Sequence, residues 1–410
     1  MAKQDKYIVG VDVGTSKICV VVGEQKPDGG LDVIGIGMSD SFGLKKGVVV
    51  SLEKTVEGIR KATDDAELMA GIEISKVFVG VAGNHIKGFN SRGVIGISQK
   101  QNEINRDDIK RVIEAARPAG MPADSEIIHV LPQEFRVDDH DGIVDPTGMT
   151  GRRLEVNAHI VTGSSTAIQN MLVCVNRAGL AVSGKVLVQK ANAEAVLTDD
   201  EQGMGVALID IGAGTTNLSI FERGSLWHTA VIPVGGYNFT NDIAIGLRTP
   251  IPEAEKIKKK YGCVLSNYLE PDAVLEVSGV GSDKVRMVPQ QLLVNILQPR
   301  AEELMELVHQ EIGRAGYEGV INAGLVITGG GALLTGITEI AQLEFDLPAR
   351  IGKPMGIGGL VDVVSSPAYA TAIGLIKFGQ LDQESGIRQR DTGVRRFVDK
   401  LKGIFFTDYI

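Results

Sequence analysis

The chain has 410 residues, an ordinary globular composition and a net charge of −9. That length exceeds what one core organises, so two or more domains are expected. The acidic balance argues against nucleic-acid binding, which needs a clustered basic surface.

Three scattered cysteines (Cys19, Cys174, Cys263) and six histidines show neither a disulfide framework nor zinc spacing, which fits a reducing cytoplasm. The N-terminus carries no signal-peptide core. No apolar run approaches the roughly 20 residues that span a bilayer, so any membrane contact is expected to be peripheral.

In chain order, the first informative feature is the loop Asp12-Val13-Gly14-Thr15-Ser16-Lys17, between the apolar runs Tyr7 to Val11 and Ile18 to Val22. It reads as a β-hairpin turn. Its backbone N–H groups and hydroxyls lack side-chain bulk and suit phosphate oxygens. An Asp ending the preceding strand can hold hydrated Mg²⁺ through water. Residues 7–22 and 31–50 read as strands, Leu52 to Ala70 as a helix with Val56, Ile59 and Ala66 inward, and Val77 to Val81 as a buried strand ending at Gly83.

Residues 84–162 differ in texture and read as an inserted unit with its own small core. Expected there are strands at Val94 to Ile97, Ile127 to Val130, Glu134 to Val137 and Leu154 to Val161. A helix from Arg106 to Ala116 is capped by Asn105. Asp138, Asp139 and Asp141 read as a solvated turn in preference to a metal site. A helix, Ser165 to Ala178, and a strand, Val186 to Val188, lead to a small-residue segment, Ala191 to Leu197.

The second loop, Asp210-Ile211-Gly212-Ala213-Gly214-Thr215-Thr216, lies between Val206 to Ile209 and Leu218 to Phe221. Alone, either loop reads equally well as an ordinary strand reversal. Together, with similar flanks, they predict two similar domains clamping one polyphosphate. Neither has P-loop spacing, and neither is a Rossmann turn, because a strand follows. Trp227 to Val234 continues as a strand and Gly235-Gly236 opens a helix. Pro252 to Tyr261, with Glu255 and Lys258, reads from its residues as a solvated helix face. A long helix, Pro289 to Arg314, precedes the strand Leu325 to Thr328. That strand ends in Gly329, Gly330 and Gly331, either a turn into the helix Leu333 to Leu343 or bare backbone for a flat ligand. Ser365 to Lys377 is a second small-residue helix.

Residues 381–393 read as a flexible linker. Beyond it, Val394, Phe397, Val398, Leu401, Ile404 and Phe405 form one helical stripe, flanked by Arg395, Arg396, Lys400 and Lys402. Such a helix suits an anionic lipid surface, apolar face down. Docking on the protein's own body is the alternative. The isolating linker and the acidic body favour the membrane. Gly403 weakens the helix by roughly 1 kcal/mol, which ties its folding to lipid.

The order of phosphate hairpin, small-residue helix, second phosphate hairpin, triple glycine and second small-residue helix resembles the actin, DnaK-type chaperone and sugar-kinase ATPase superfamily. Within it, the chain is similar to the FtsA family of bacterial cell-division proteins over nearly all residues. Local matches are Glu67-Leu68-Met69-Ala70, Leu131-Pro132-Gln133-Glu134-Phe135 with Gly142-Ile143, Leu325-Val326-Ile327-Thr328-Gly329-Gly330 and Ser366-Pro367-Ala368-Tyr369-Ala370-Thr371-Ala372.

The resemblance implies an α/β actin-like ATPase fold, two related domains around a nucleotide cleft. Residues 1–83, 163–190 and 366–380 would form the first core domain, with 84–162 as the replaced subdomain. Residues 191–232 and 310–365 would form the second core domain, and 233–309 its outer subdomain. A linker (381–393) and a membrane-targeting helix (394–410) would follow.

It implies binding of ATP by Asp12, Gly14, Thr15, Ser16, Lys17, Asp210, Gly212, Gly214, Thr215, Thr216, Gly329, Gly330 and Gly331, with Mg held through water by Asp12 and Asp210. Glu255 and Lys258 fall where relatives contact adenine and ribose. Implied partners are the C-terminal peptide of FtsZ, with Arg300 (in Asn295 to Met305) as candidate contact or ordinary helix-face charge, other copies in a filament, later division proteins and anionic lipid. The implied location is the cytoplasmic side of the inner membrane at the division site.

Two departures stand out. Ala213 replaces a usual glycine, which is tolerable at negative φ. Gln189 stands where related ATPases carry a water-orienting glutamate, and Lys190 replaces the usual proline. Gln189 can hydrogen-bond a water but cannot act as a carboxylate base, so ATP binding with at most weak hydrolysis is expected. The rival readings are a pilus-type assembly adaptor and a small-molecule kinase of the same fold.

Overall fold

The computed structural model describes residues 6–97, 102–279 and 285–390. Its two main sheets share one strand order. In the first, Tyr7–Val13, Lys17–Gln25 and Leu31–Asp40 form an antiparallel meander, and Lys76–Val81 and Ala181–Leu187 add parallel on the side of the first strand. In the second, Val206–Ile211, Thr216–Glu222 and Ser225–Ile232 form the meander, and Leu325–Thr328 and Ala349–Ile351 add in the same way. Gly358–Gly359 extends the far edge of the first sheet. The central strands are apolar on both faces, and Val206–Ile211 is buried throughout, so each sheet must be covered on both sides.

Leu52–Ala70 and Ser165–Arg177 cover one face of the first sheet, over Val9, Val11, Val20 and Val22. Gly71 closes the former helix at φ 67°, its N–H donating to the Glu67 carbonyl at 2.8 Å. Two small-residue helices, Val188–Val196 and Ala370–Arg390, lie against each other on the opposite face. The second of these runs on to Arg390, into the stretch expected as a flexible linker from 381. Leu381, Asp382, Gln383 and Glu384 offer no break, and the single Gly386 does not stop the helix. The tail residues Arg395, Arg396, Phe397, Val398, Lys400, Leu401, Ile404 and Phe405 lie outside the described residues. Among the described residues, no helix is long and apolar enough to cross a membrane.

The inserted unit is a separate sheet of Lys87–Gly96, Arg153–Ser164, Ser125–Val137 and His140–Ile143. Helix Arg106–Ala115 packs on it over its own core, including Ile109, Val112, Phe135 and Val156. The Asn105 side chain accepts the Asp108 N–H at 3.0 Å, and Asp108 returns a bond to the Asn105 N–H. The two strands expected at 127–130 and 134–137 are one, running through Pro132. A bulge at Gln133, skipped where Asn157 faces Glu134 and Ala158 faces Pro132, accommodates the proline that cannot donate to the ladder. Asp138 closes the neighbouring loop by accepting the backbone N–H groups of Arg152 (3.0 Å) and Arg153 (2.9 Å). Among the described residues, no group of three or more His, Cys, Asp and Glu is placed to hold a metal.

The insertion also rests on the second half. His159 sits between Asn90 Oδ1 (2.7 Å) and the Thr229 hydroxyl (2.9 Å), and the Gln133 amide donates to the Leu226 carbonyl at 3.2 Å. Burial pushes His159 down to about 3, so this histidine is uncharged at neutral pH, and the charge across the seam is the Arg223–Glu134 pair at 3.5 Å.

One of the tightest joints is between the two small-residue helices. A Cβ on Gly374 would lie 1.8 Å from the Ala191 carbonyl oxygen. Gly374→Ala is therefore expected to lower stability by about 1–3 kcal/mol through overpacking, read as a lower urea midpoint. An unchanged midpoint would mean that the helices are not in this contact.

Candidate nucleotide site

The first turn of each meander is built alike. Gly14 N–H donates to the Lys17 carbonyl at 3.0 Å, and Gly212 N–H donates to the Thr215 carbonyl at 3.0 Å. The two turns meet: a Cβ on Gly214 would lie 3.0 Å from Thr15 Oγ1. Opposed chain halves thus bring together two stretches of backbone with little side-chain bulk. Ala213 is absent from the residues with positive φ, so its methyl is accommodated without strain.

Asp12 and Asp210 end the strands that lead into the turns. Burial pushes the Asp12 carboxyl up to about 6; the Lys17 ammonium opposes this and Asp210 adds to it. Asp210 is raised by burial too, against the pull of the Asn217 and Asn192 amides and of Lys17. Asn217 Nδ2 donates to Asp210 Oδ2 at 3.0 Å. Two carboxylates at the base of a phosphate-sized cradle match a Mg²⁺ that keeps most of its water. The residues present therefore fit a metal-bound polyphosphate. That fit is of donor set and space.

Gln189 lies on helix Val188–Val196. It is 1 % exposed, and neither its amide oxygen nor its amide nitrogen has a hydrogen-bond partner. A buried amide left open at both ends is expensive unless a water or ligand completes it.

Several residues named from sequence are engaged in holding the frame. Lys17 Nζ donates to the Ala368 carbonyl at 2.6 Å and lies 4.2 Å from the centre of the Tyr369 ring. The Thr216 hydroxyl is committed to the Val234 carbonyl at 2.8 Å, and the residue is fully buried. Within the triple glycine, Gly329 (φ 83°) and Gly331 make room for the second strand's end. A Cβ on Gly329 would lie 2.3 Å from Asp210 Oδ1, and one on Gly331 2.2 Å from Ile211. Only open space lies within 4 Å of the Gly330 Cβ direction.

Glu255 and Lys258 pair at 2.7 Å. They converge on helix Gly236–Leu247, where Lys258 donates to the Gly236 carbonyl (2.9 Å) and the Thr240 hydroxyl (2.7 Å). Burial pushes Lys258 below its usual value, with Glu255 opposing. The start of that helix is laced to the second turn: Gly236 N–H to the Gly212 carbonyl, 2.9 Å, and Tyr237 N–H to the Ala213 carbonyl, 2.8 Å. Tyr237 then crosses to the other half, its hydroxyl donating to the Thr15 carbonyl at 3.3 Å. Sequence reading missed Tyr237 and Thr240; only the position of Tyr237 directly after Gly235-Gly236 hinted at a role.

Arg300 lies elsewhere, on helix Gln290–Ala315 just after its internal Pro299. It is held by Asp242 at 2.6 Å and by Glu303.

A family model described as cell division protein FtsA matches residues 207–374, and one described as the SHS2 domain inserted in FTSA matches residues 83–162. The cell division protein FtsA of Pseudomonas aeruginosa is 45 % identical over 388 residues, covering 95 % of this chain and 93 % of that one. The FtsA of Escherichia coli is 36 % identical over 401 residues, covering 95 % of each. Among solved structures, the PilM-PilN type IV pilus biogenesis complex matches at TM-score 0.67 and 16 % identity, covering 91 % of this chain and 98 % of that one. MreB5 of Spiroplasma citri bound to ADP matches at 0.57 and 15 %, covering 95 % and 100 %. Likeness at that identity establishes the actin-like fold.

The raised Asp12 carboxyl gives a pH test with a definite sign. Its folded value of about 6 exceeds the ordinary 3.8, so ionising it opposes folding, fully above about pH 6 and not at all below about pH 4. In nucleotide-free protein, Asp12→Asn should therefore raise stability at pH 7, on the order of 2–3 kcal/mol. The gain should vanish as pH falls to about 4. Chemical denaturation at several pH values measures this, and a gain independent of pH would contradict it.

Proposed function

The chain belongs to the FtsA family of cell-division proteins, and from that premise we propose that it is an ATP-dependent, actin-like filament protein tying the FtsZ ring to the membrane. The observation that carries this reading is the contact between two like turns, Gly214 against Thr15, above Asp12 and Asp210. Asp12 and Asp210 hold hydrated Mg²⁺ through water. The Gly14 and Gly212 N–H groups close the turns, and the N–H groups of Thr15 and Ser16 on one side, and of Gly214 and Thr215 on the other, take phosphate oxygens. When bound, the metal-nucleotide supplies the charge that draws both turns together. Gly330 offers bare backbone to the adenosine, and Glu255 and Lys258 border it from the outer subdomain.

Gln189 positions a water but removes no proton from it, because an amide is not a base at neutral pH. Nucleotide then serves mainly as a structural tie. Closed halves present one constant shape, which is what head-to-tail assembly of copies requires. The outer subdomain, residues 233–309, takes the C-terminal peptide of FtsZ, with Arg300 released from Asp242 or Glu303 as a contact. The stripe Phe397, Val398, Leu401, Ile404 and Phe405, with Arg395, Arg396 and Lys400, sets the protein on anionic lipid at the cytoplasmic face of the inner membrane. Later division proteins are recruited from there.

Asp210→Ala should abolish saturable Mg·ATP binding in calorimetric titration. Binding equal to wild type would remove the metal-phosphate clamp. Deletion of 394–410 should leave nucleotide binding intact and eliminate co-sedimentation with anionic liposomes. Retained sedimentation would remove the tail as the membrane device.

A further inference from the structure

Between the first meander and helix Leu52–Ala70 lies a small hairpin, Leu44–Lys45 paired with Val48–Val49. Its turn is Lys46-Gly47, with φ of 50° and 77°. Successive left-handed residues make a tight primed turn, which Asn-Gly or Gly-Gly forms at less strain than a lysine does. Arg223-Gly224 turns another hairpin at the same angles, 51° and 76°, so a role for Lys46 needs a reason beyond its conformation.

Its position supplies one. The Gly47 N–H donates to Thr15 Oγ1 at 3.1 Å. A Cβ on Gly214 would lie 3.1 Å from Lys46 Cα. The turn is therefore wedged against both phosphate hairpins at the point where they meet. Lys46 is exposed, and its ammonium has no hydrogen bond or ion pair among the described residues. The other lysines at the site are engaged: Lys17 by Ala368 and Tyr369, Lys258 by Glu255 and Thr240. The carboxyls Asp12 and Asp210 add negative charge to a place built for more of it.

We propose that Lys46 is a further phosphate-contacting residue, its ammonium meeting the terminal phosphate of the nucleotide held between the two hairpins. The proposal rests on the nucleotide reading above and adds a third wall to that site. A lysine is a compact charge with three donors on a flexible four-carbon stem, suited to reaching an oxygen whose place it does not itself fix. A plain solvated turn explains the exposure. It does not explain the seating of its Cα against Gly214.

The test is titration of Mg·ATP and Mg·ADP into the full chain and three variants. Lys46→Gly keeps the left-handed turn and removes the ammonium. It should weaken Mg·ATP by about tenfold or more and Mg·ADP clearly less, with the nucleotide-free melting temperature unchanged. Lys46→Asn, also at ease in this conformation, should do the same and serves if the glycine variant melts early. Lys45→Ala, one residue away, should bind as wild type. Wild-type affinity for Mg·ATP in Lys46→Gly and Lys46→Asn would overturn the proposal, and so would an equal loss for both nucleotides. Absence of saturable binding in the unmodified chain would instead defeat the nucleotide reading on which it rests.

Discussion

The structure depends on one close approach. Two glycine-broken turns, from halves of the chain some 200 residues apart in sequence, are brought within van der Waals contact at Thr15 and Gly214. Backbone N–H groups are strong donors wherever they are left unpaired, and only short side chains leave them accessible. Everything around the pair holds this arrangement. The strands beneath are apolar on both faces, helices cover both sides, and two small-residue helices cross closely where Gly374 meets Ala191. The duplication gives each half the same hairpin, so one local solution serves twice.

Glycine has different roles at different points of the site. Gly14 and Gly212 form the turns. Gly214 lets the halves touch. Gly329 and Gly331 have no room for a side chain because Asp210 and Ile211 already fill it. Gly330 alone of that triplet faces open space. A glycine-rich sequence at a ligand site is thus partly about ligand and partly about fitting neighbouring strands.

Much of this was legible. Asp-x-Gly with flanking alternation locates both hairpins, because turn chemistry is local. Asn105 marks a helix start for the same reason. The family followed from the order of these units. What escaped is whatever depends on tertiary approach. Nothing in the sequence tells that Thr216 gives its hydroxyl to Val234, that Tyr237 spans to Thr15, or that the Lys46 turn abuts Gly214. Pro132 looks like a strand break until the bulge beside it, at Gln133, accommodates it. The helix continuing to Arg390 was misread as a linker because polar, charged residues suit both solvated helix and coil. The pilus-type rival shares the fold at 16 % identity; relatives at 36–45 % identity over nearly the whole chain separate the two.

The inserted unit grows out of the first half at Gly83 yet seats on the second through Gln133, Asn90 and His159. It bridges the two halves as a strut spans a door and its frame. The buried part of the seat is neutral hydrogen bonds, with His159 uncharged, so acidity in the ordinary cellular range leaves it unchanged, while salt weakens the Arg223–Glu134 pair (3.5 Å) at its edge. Whatever tilts the strut must therefore strain a buried, uncharged joint before it reaches the salt-sensitive edge.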